Sequence, residues 1–452
     1  MLIFSVESMN SFPPILQKYF KKNYQTKWYI EPEPDRLHNS IIVIPALAEL
    51  DNIKKLLLSL SENEESYFNN TLILFVVNNT ISASEEIKSN NMLTIEFLNN
   101  LTSNDSSDKL SESIISSGLQ TAYIDASTAG KEMNDKDGGV GLARKIGMDI
   151  ALKYYDYSSN LKKILVCLDA DCTVEKNYIT AITEYFQKES CKAAVVNYEH
   201  DITGSSENTA AIICYELFLR YYLMGLNYAG SPYAFHTIGS TMVCDYESYI
   251  KIGGMNKLKA AEDFYFLEKL SKVTDIRSIK NTYVYPSSRA SCRVPFGTGQ
   301  RVNRFLAKVR NEYILYNPQS FVILKKWLQL FDSLNKTNLN QTLNDVKRVS
   351  TDLYHFLNEN KFEQFWEKIC LQDIKDQQII KQKKFWFDAF KTLKLIHYLR
   401  DNEYPAINMF DAIDYLLEFT GVTDRVKRSE NILRDLDKQK EYLLLLRKLQ
   451  NN

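Results

Sequence analysis

The chain has 452 residues, of which 45% are hydrophobic, and its 55 Lys and Arg residues nearly balance 56 Asp and Glu residues. This length predicts two domains, or one large domain with an appendage. A net charge near zero is not typical of a dedicated nucleic-acid binder, which normally shows a basic face, so no nucleic-acid partner is expected.

The cysteines and the apolar segments predict a soluble, cytoplasmic protein. The seven cysteines include no Cys-x-x-Cys pair, a pattern of free thiols in a reducing compartment. Residues 1–14 lack a basic region and have too short an apolar run for a signal peptide. The apolar stretch 210–230 contains Glu216 and Arg220, which favours a buried amphipathic helix over a transmembrane segment.

The first part of the chain reads as a strand–helix–strand unit. Residues 1–39 are aromatic and interrupted by prolines, and we expect them to pack on the main domain. A buried strand over residues 41–45 ends at Pro45, which cannot donate to a ladder, and Glu49 and a helix follow. A second apolar strand, residues 71–77, ends at Asn78 and Asn79. This order predicts a right-handed βαβ unit.

The middle of the chain continues the alternation. Residues 99–117 are rich in Ser, Asn and Asp and predict a surface insertion, and residues 120–124 form a short strand. A polar, glycine-containing segment then leads into a helix whose first turns hold Gly141 and Arg144. The apolar residues of this helix are spaced for one buried face.

Two carboxylates follow the next apolar run. The sequence Ile-Leu-Val-Cys-Leu at residues 164–168 predicts a strand buried on both faces, and Asp169 and Asp171 come directly after it. Ligands of open α/β sheets bind beyond the carboxyl ends of the strands. Asp-x-Asp offers hard oxygen ligands that suit Mg²⁺ or Mn²⁺. The alternative is a structural turn rich in Asp.

The remainder divides into two parts. Up to about residue 305 strands and helices alternate, and a Gly-Gly pair at 253–254 precedes a helix that starts with Glu262 and Asp263. This alternation predicts an α/β sheet domain. From about residue 321 we predict four to six helices and no strands. The predicted organisation is a lead-in (1–39), a sheet domain (40–305) and an all-α C-terminal region (320–452).

These motifs together resemble the GT-A glycosyltransferases of family 2. The resemblance covers residues 40–305. It rests on Val-Ile-Pro at 43–45 with Glu49, Gly-Leu-Ala-Arg at 141–144, Asp-Ala-Asp at 169–171, and Gly-Gly-Met at 253–255 followed by Glu262-Asp263. It implies a Rossmann-like, mostly parallel sheet with flanking helices. It also implies metal-dependent transfer of a sugar from a nucleotide-diphosphate donor to an acceptor hydroxyl.

The resemblance further implies a role for each motif. Asp169 and Asp171 would hold Mg²⁺ or Mn²⁺ at the donor diphosphate, and Arg144 would contact a phosphate. Pro45, Glu49 and Asn79 would contact the rest of the donor. Asn78 and Asn79 stand where the family usually has aspartates, and this departure leaves the nucleobase open. A UDP-sugar is the default donor and a GDP-sugar is the alternative. Ordinary structural roles compete: a solvated helix charge for Arg144 and helix capping for Glu49.

For the acceptor side the resemblance implies that Asp263 is the general base and that Glu262 supports it, with inversion at the anomeric carbon. Retention of configuration is the alternative stereochemistry. Two acids in the first turn of a helix also complement the helix dipole, which is the structural alternative for this pair.

Two other functions compete with this interpretation. A nucleotidyltransferase also uses carboxylate-held Mg²⁺, but it should carry a glycine-rich basic loop after the first strand, and residues 45–49 do not. An inactive scaffold would bind a partner through the C-terminal helices. We expect those helices to wall the acceptor side or to mediate a homo-oligomer.

Overall fold

The structure, a computed structural model, describes residues 12–23, 27–105, 108–203, 206–289 and 297–451. Its strands are β1 (Ile30–Glu31), β2 (Ser40–Ala46), β3 (Thr71–Asn78), β4 (Gln120–Ala126), β5 (Ile164–Cys167), β6 (Thr173–Val174), β7 (Ala193–Tyr198), β8 (Met242–Asp245), β9 (Ile276–Tyr285), β10 (Ile314–Leu315) and β11 (Ile407–Asn408).

The helices that precede residue 310 are α1 (Pro14–Asn23), α2 (Leu50–Ser61), α3 (Glu85–Thr102), α4 (Lys109–Ser116), α5 (Val140–Ala151), α6 (Tyr178–Lys188), α7 (Ser206–Ala229), α8 (Tyr246–Lys251), α9 (Glu262–Ser271) and α10 (Thr298–Leu306). Those that follow are α11 (Gln319–Ser333), α12 (Leu339–Val349), α13 (Thr351–Glu359), α14 (Phe362–Cys370), α15 (Asp376–Trp386), α16 (Ala389–Asn402), α17 (Met409–Phe419) and α18 (Leu436–Asn451).

Nine strands form one mixed sheet in the order β1-β4-β3-β2-β5-β8-β7-β9-β6. The longest ladders, which join β4, β3 and β2 and join β7 to β9, are parallel. Strand β8 runs antiparallel to its neighbours β5 and β7. The predicted fold class, an α/β sheet with flanking helices and a helical C-terminal region, is confirmed.

The apolar runs of the sequence form the centre of this sheet. All residues of β3 and β5 are buried, as expected for strands covered on both faces. Pro45 lies inside β2, opposite Val76 of β3. The carbonyl of Val43 accepts from Leu168 N on the β5 side. Residues two apart along a strand direct their backbone groups to the same side, so the nitrogen of Pro45 also points toward the β5 side. Pro45 lies beyond the last β2–β5 pair, where the ladder needs no N–H donor.

The chain divides into two compact units. Within the described residues, unit 1 comprises Met1–Asp201 and Thr237–Ser288, and unit 2 comprises Ile202–His236 and Gly297–Asn452. This corrects the predicted boundaries, because residues 202–236 and 297–305 were assigned to the sheet domain. The cause is α7, whose Leu217 and Tyr221 belong to the same buried cluster as Trp327 of α11. Periodicity identifies a buried helix but not its packing partner.

Helix α7 also contains the only described segment, Glu207–Ala229, that is long and apolar enough to cross a membrane. In its most apolar window 67% of the residues are buried inside the fold. Its charged residues are paired: Arg220 Nε donates to Glu216 Oε1 over 2.7 Å. These facts agree with the prediction of a buried helix.

Two other predictions about local structure were wrong. The polar segment 99–117 continues α3 and contains α4, where the Asp108 carboxylate caps the helix by accepting from Leu110 N and Ser111 N. Ile114 of α4 is 2% exposed, so this segment contributes to the core. After residue 318 the described chain holds eight helices rather than four to six, two of them with only nine residues, and it also holds the two-residue strand β11, where no strand was predicted.

The segment before residue 40, which we expected to pack on the main domain, contributes to unit 1. Strand β1 pairs antiparallel with β4, with Ile30 opposite Ile124. In α1, the Tyr19 hydroxyl donates to Asp149 Oδ1 of α5 over 2.7 Å.

Candidate functional site

The two aspartates lie beyond the carboxyl end of a central strand. Strand β5 ends at Cys167, and Leu168 N still reaches the carbonyl of Val43, so Asp169 is the first residue past the ladder. The turn closes when Cys172 N donates to the carbonyl of Asp169 over 3.1 Å. The Asp169 side chain is 34% exposed. This is the place predicted for the pair, at the edge where α/β sheets bind ligands.

Arg144 joins two of the predicted elements. It lies in the first turns of α5, and only 2% of its surface is exposed. Its Nη2 donates to Asp169 Oδ1 and its Nη1 donates to Glu262 Oε1 at the start of α9. Burial opposes the charge of this guanidinium, but Asp169 and Glu262 outweigh burial and raise its pKa above the ordinary value. The guanidinium is thus the link between the acids that follow β5 and those that begin α9.

Arg144 was predicted to contact a phosphate, and its present partners are carboxylates. Its Nε has no hydrogen-bond partner within the described part of the chain. A buried arginine with two carboxylate partners holds both in fixed positions. The solvated helix charge, which was the structural alternative, is excluded by the burial of Arg144.

Two glycines make this close packing possible. A Cβ on Gly239, in the turn before β8, would lie 2.8 Å from Cζ and 2.9 Å from Nη1 of Arg144. A Cβ on Gly141 would strike the carbonyl oxygen of Leu258 and lie 3.1 Å from Cβ of Glu262. The first turn of α5 therefore approaches the start of α9 only because residue 141 has no side chain. Sequence reasoning singled out Gly141 but missed Gly239, which no local pattern marks.

The acid pair at the start of α9 sits on an unusual backbone. Ala261, which precedes it, is left-handed with a φ of 58°, a conformation that costs free energy in a residue with a Cβ. Asp263 Oδ1 accepts from Phe264 N over 2.7 Å. Burial raises the pKa of Asp263 to about 7, with Glu262 adding to the effect and Arg144 opposing it. A carboxylate with such a pKa is suited to accept a proton near neutral pH.

Pro45, near the end of β2, and Glu49, just after this strand, lie at the same edge of the sheet. Strands β2, β3 and β5 are parallel, so their carboxyl ends share one side. Glu49 is 8% exposed and accepts from Asn52 Nδ2 over 2.5 Å. It stands at the N-cap position of α2, but its side chain makes no capping hydrogen bond there. Capping, the structural alternative, is therefore not what this carboxylate does.

Asn79 is part of a buried amide network. Its Oδ1 accepts from Asn91 Nδ2 over 2.8 Å, and its Nδ2 donates to the carbonyl of Thr80. Asn91, on α3, also accepts from the backbone N–H of Ala48 over 2.9 Å. With 1% of its surface exposed, Asn79 supports the loops after β2 and β3. Contact of Asn79 with the nucleotide donor stays a prediction. Sequence reasoning missed Asn91, whose signal is an amide within a helix.

Asp169 and Asp171 are the predicted ligands of a divalent metal ion. In the part of the chain that the structure describes, no group of three or more His, Cys, Asp or Glu side chains is placed to hold a metal ion. Asp169 and Asp171 supply two carboxylates at a partly exposed edge. Mg²⁺ is commonly bound by one or two carboxylates with substrate phosphates and water completing the shell. The two carboxylates therefore suit a metal ion whose coordination shell is completed by a diphosphate.

Comparisons with known proteins were made by sequence and by structure. The sequence matches no protein-family model and no curated protein. Among solved structures, the chain is similar to S. aureus TarS 1-349 in complex with UDP-GlcNAc, with 13% identity over 72% of this chain and 92% of that one and a TM-score of 0.36.

Two further structures are similar. The mannosyltransferase PcManGT from Pyrobaculum calidifontis, in complex with GDP-Man and Mn²⁺, is 11% identical over 96% of this chain and 92% of that one (TM-score 0.35). Glucosyl-3-phosphoglycerate synthase from Mycobacterium tuberculosis, in complex with UDP, is 12% identical over 61% of this chain and 83% of that one (TM-score 0.32).

Proposed function

We propose that the chain is a metal-dependent glycosyltransferase that moves a sugar from a nucleotide-diphosphate donor to an acceptor hydroxyl. One observation carries the proposal. Arg144 contacts both Asp169 and Glu262, so three residues chosen from separate sequence motifs meet at one buried guanidinium. Unrelated structural acids would have no reason to converge beyond the carboxyl end of a central strand.

On the donor side, Asp169 and Asp171 are the residues that would hold Mg²⁺ or Mn²⁺. The ion supplies charge neutralisation for the departing diphosphate when it is bound. Arg144 fixes the position of Asp169 through its hydrogen bond, so one ligand is preorganised before the donor arrives. Pro45, Glu49 and Asn79 border the nucleoside side of this edge, with a UDP-sugar as the default donor.

On the acceptor side, Asp263 acts as the general base. The acceptor oxygen forms a bond to the anomeric carbon while the bond from that carbon to the diphosphate oxygen breaks. The electron pair leaves with the diphosphate, and the hydroxyl proton passes to the Asp263 carboxylate. Direct displacement from the opposite face inverts the anomeric centre. Glu262, held by Arg144, keeps the start of α9 in place and raises the proton affinity of its neighbour.

We also propose a cytoplasmic location and retain self-association through the C-terminal helices as a prediction. All six described cysteines are free, and five of them are buried. Free thiols are typical of proteins in reducing compartments. Light scattering of the full chain, and of a chain with substitutions on the exposed side of α18, tests the oligomer.

The experiment that tests the function is a screen of UDP- and GDP-sugars for hydrolysis, with Mn²⁺ or Mg²⁺ and with EDTA. It identifies the donor without knowledge of the acceptor. We expect one donor to be hydrolysed only with metal, and Asp171→Asn to abolish this turnover. Asp105→Asn, which changes an exposed loop residue, is the matched control. Hydrolysis that survives EDTA and Asp171→Asn would refute the metal assignment, and no hydrolysis of any donor would refute the proposal.

A further inference from the structure

Three arginines surround one buried glutamate in unit 2. The Glu312 side chain is 6% exposed. It pairs with Arg301 Nη1 at 2.5 Å, Arg304 Nε at 3.2 Å and Arg310 Nε at 2.9 Å. The arginine side chains are 20%, 29% and 55% exposed, so each also reaches the surface. We refer to these four residues as the arginine cluster.

The charges of the arginine cluster do not balance. Three guanidinium groups share one carboxylate, and in the described residues Glu312 is the only carboxylate that forms an ion pair with them. Burial lowers the pKa of Arg304, and the nearby charge of Arg301 adds to the effect. A surplus of about two positive charges therefore remains.

One arginine of the cluster is held rigidly against aromatic rings. The Arg301 guanidinium lies 4.4 Å from the ring centre of Phe218 and 5.9 Å from that of Tyr215. These rings, together with Phe305, line a recess that also contains Arg301 and Glu312. Cys214 fixes the base of the recess, because its thiol donates to the carbonyl of Glu312 over 3.2 Å. Stacking on a ring face leaves the N–H edge of a guanidinium available for an anion.

We propose that the arginine cluster binds a phosphate monoester. A phosphate monoester carries about −1.5 to −2 charge near neutral pH, which matches the surplus, whereas a carboxylate carries only −1. Arginine pairs with phosphate through two parallel hydrogen bonds, and three arginines offer several such edges. Glu312 then serves to gather the arginines before the ligand arrives.

The phosphate site is independent of the proposed glycosyltransferase function, because it involves none of the residues assigned to the donor diphosphate.

The test is calorimetric titration of inorganic phosphate into the full chain at low ionic strength, without divalent metal. We expect saturable binding, weakened about tenfold or more by Arg304→Gln, since a hydrogen bond to a charged group contributes about 1.5–3 kcal/mol. Arg348→Gln, a charge change on α12 at a side chain that is 77% exposed, should leave binding unchanged. Asp171→Asn should also leave it unchanged. Unfolding curves show that each variant is folded.

Several results would overturn the inference. Absence of phosphate binding in the wild-type chain, or equal weakening by Arg304→Gln and Arg348→Gln, would show that no specific site exists. Loss of binding in Asp171→Asn would place the phosphate at the donor edge instead.

Discussion

The proposed base makes a prediction that links stability to catalysis. Asp263 is partly buried beside Glu262, and burial raises its pKa from an ordinary value of 3.8 to about 7. The folded chain therefore binds this proton more tightly than the unfolded chain does. Between pH 4 and about 7 the unfolded state has lost the proton that the folded state keeps, so the residue reduces stability as the pH rises. Above about pH 7 both states have lost the proton, and the reduction in stability has reached its full size.

Asp263→Asn removes this charge and keeps the shape. We expect the variant to be more stable than the wild type at pH 8 and equally stable near pH 4. One pKa unit corresponds to about 1.4 kcal/mol, so the shift sets an upper limit of roughly 4 kcal/mol. Solvent that reaches the partly exposed carboxylate lowers this figure, and we expect a gain of about 1–3 kcal/mol. Sugar transfer should nevertheless be lost, because an amide does not accept the acceptor proton.

The assay is urea unfolding at pH 4.5 and pH 8, with hydrogen exchange of peptides from α5 and α9 to identify the unfolding of unit 1. Asp51→Asn is the control, since Asp51 is an exposed acid in the first turn of α2. It should cost about 0.3–1 kcal/mol through the helix dipole at both pH values. If Asp263→Asn were destabilising at pH 8, or stabilising to the same extent at both pH values, the reasoning about this carboxylate would be wrong.

Three further predictions concern the same site. Asp171→Asn should abolish metal-dependent donor turnover. It should leave the free energy of unfolding of unit 1 within about 0.5 kcal/mol of the wild-type value, because the residue lies in a turn rather than in the core. A large loss of stability would contradict this. Arg144→Gln should destabilise unit 1 by about 3–5 kcal/mol in urea unfolding at pH 7, because it leaves the carboxylates of Asp169 and Glu262 without their cation. An effect below 1 kcal/mol would show that the guanidinium is not the link. Gly239→Ala should cost about 1–3 kcal/mol and reduce turnover, because the new methyl group displaces that guanidinium; unchanged turnover would refute the contact.

The sequence predicted the parts of the site that depend on local patterns. The apolar run of β5 ends where it was expected to end, and the carboxylates of Asp169 and Asp171 follow it. Arg144 was singled out because Ala-Arg before an apolar stripe matches the pattern of the family that the chain resembles, and its contact with a phosphate stays a prediction. These features depend on residues that are close in the chain, where periodicity and turn chemistry are informative.

The sequence did not predict the contacts between residues that are far apart in the chain. Arg144 and Glu262 are 118 positions apart, and no pattern indicates that one guanidinium serves both acids. The space left by Gly239 likewise becomes visible only when the turn before β8 meets α5. The assignment of α7 to the sheet domain was wrong for the same reason, because a helix that is apolar on several sides can be buried against either unit.

The central claim is that Asp169 and Asp171 bind a nucleotide diphosphate together with a divalent metal. Calorimetric titration of UDP, and then GDP, into the chain with and without Mn²⁺ tests it most directly. We predict nucleotide binding that requires Mn²⁺ and that is lost in Asp171→Asn but kept in Asp105→Asn. Nucleotide binding that is equally strong without metal, or that Asp171→Asn leaves undiminished, would contradict the account.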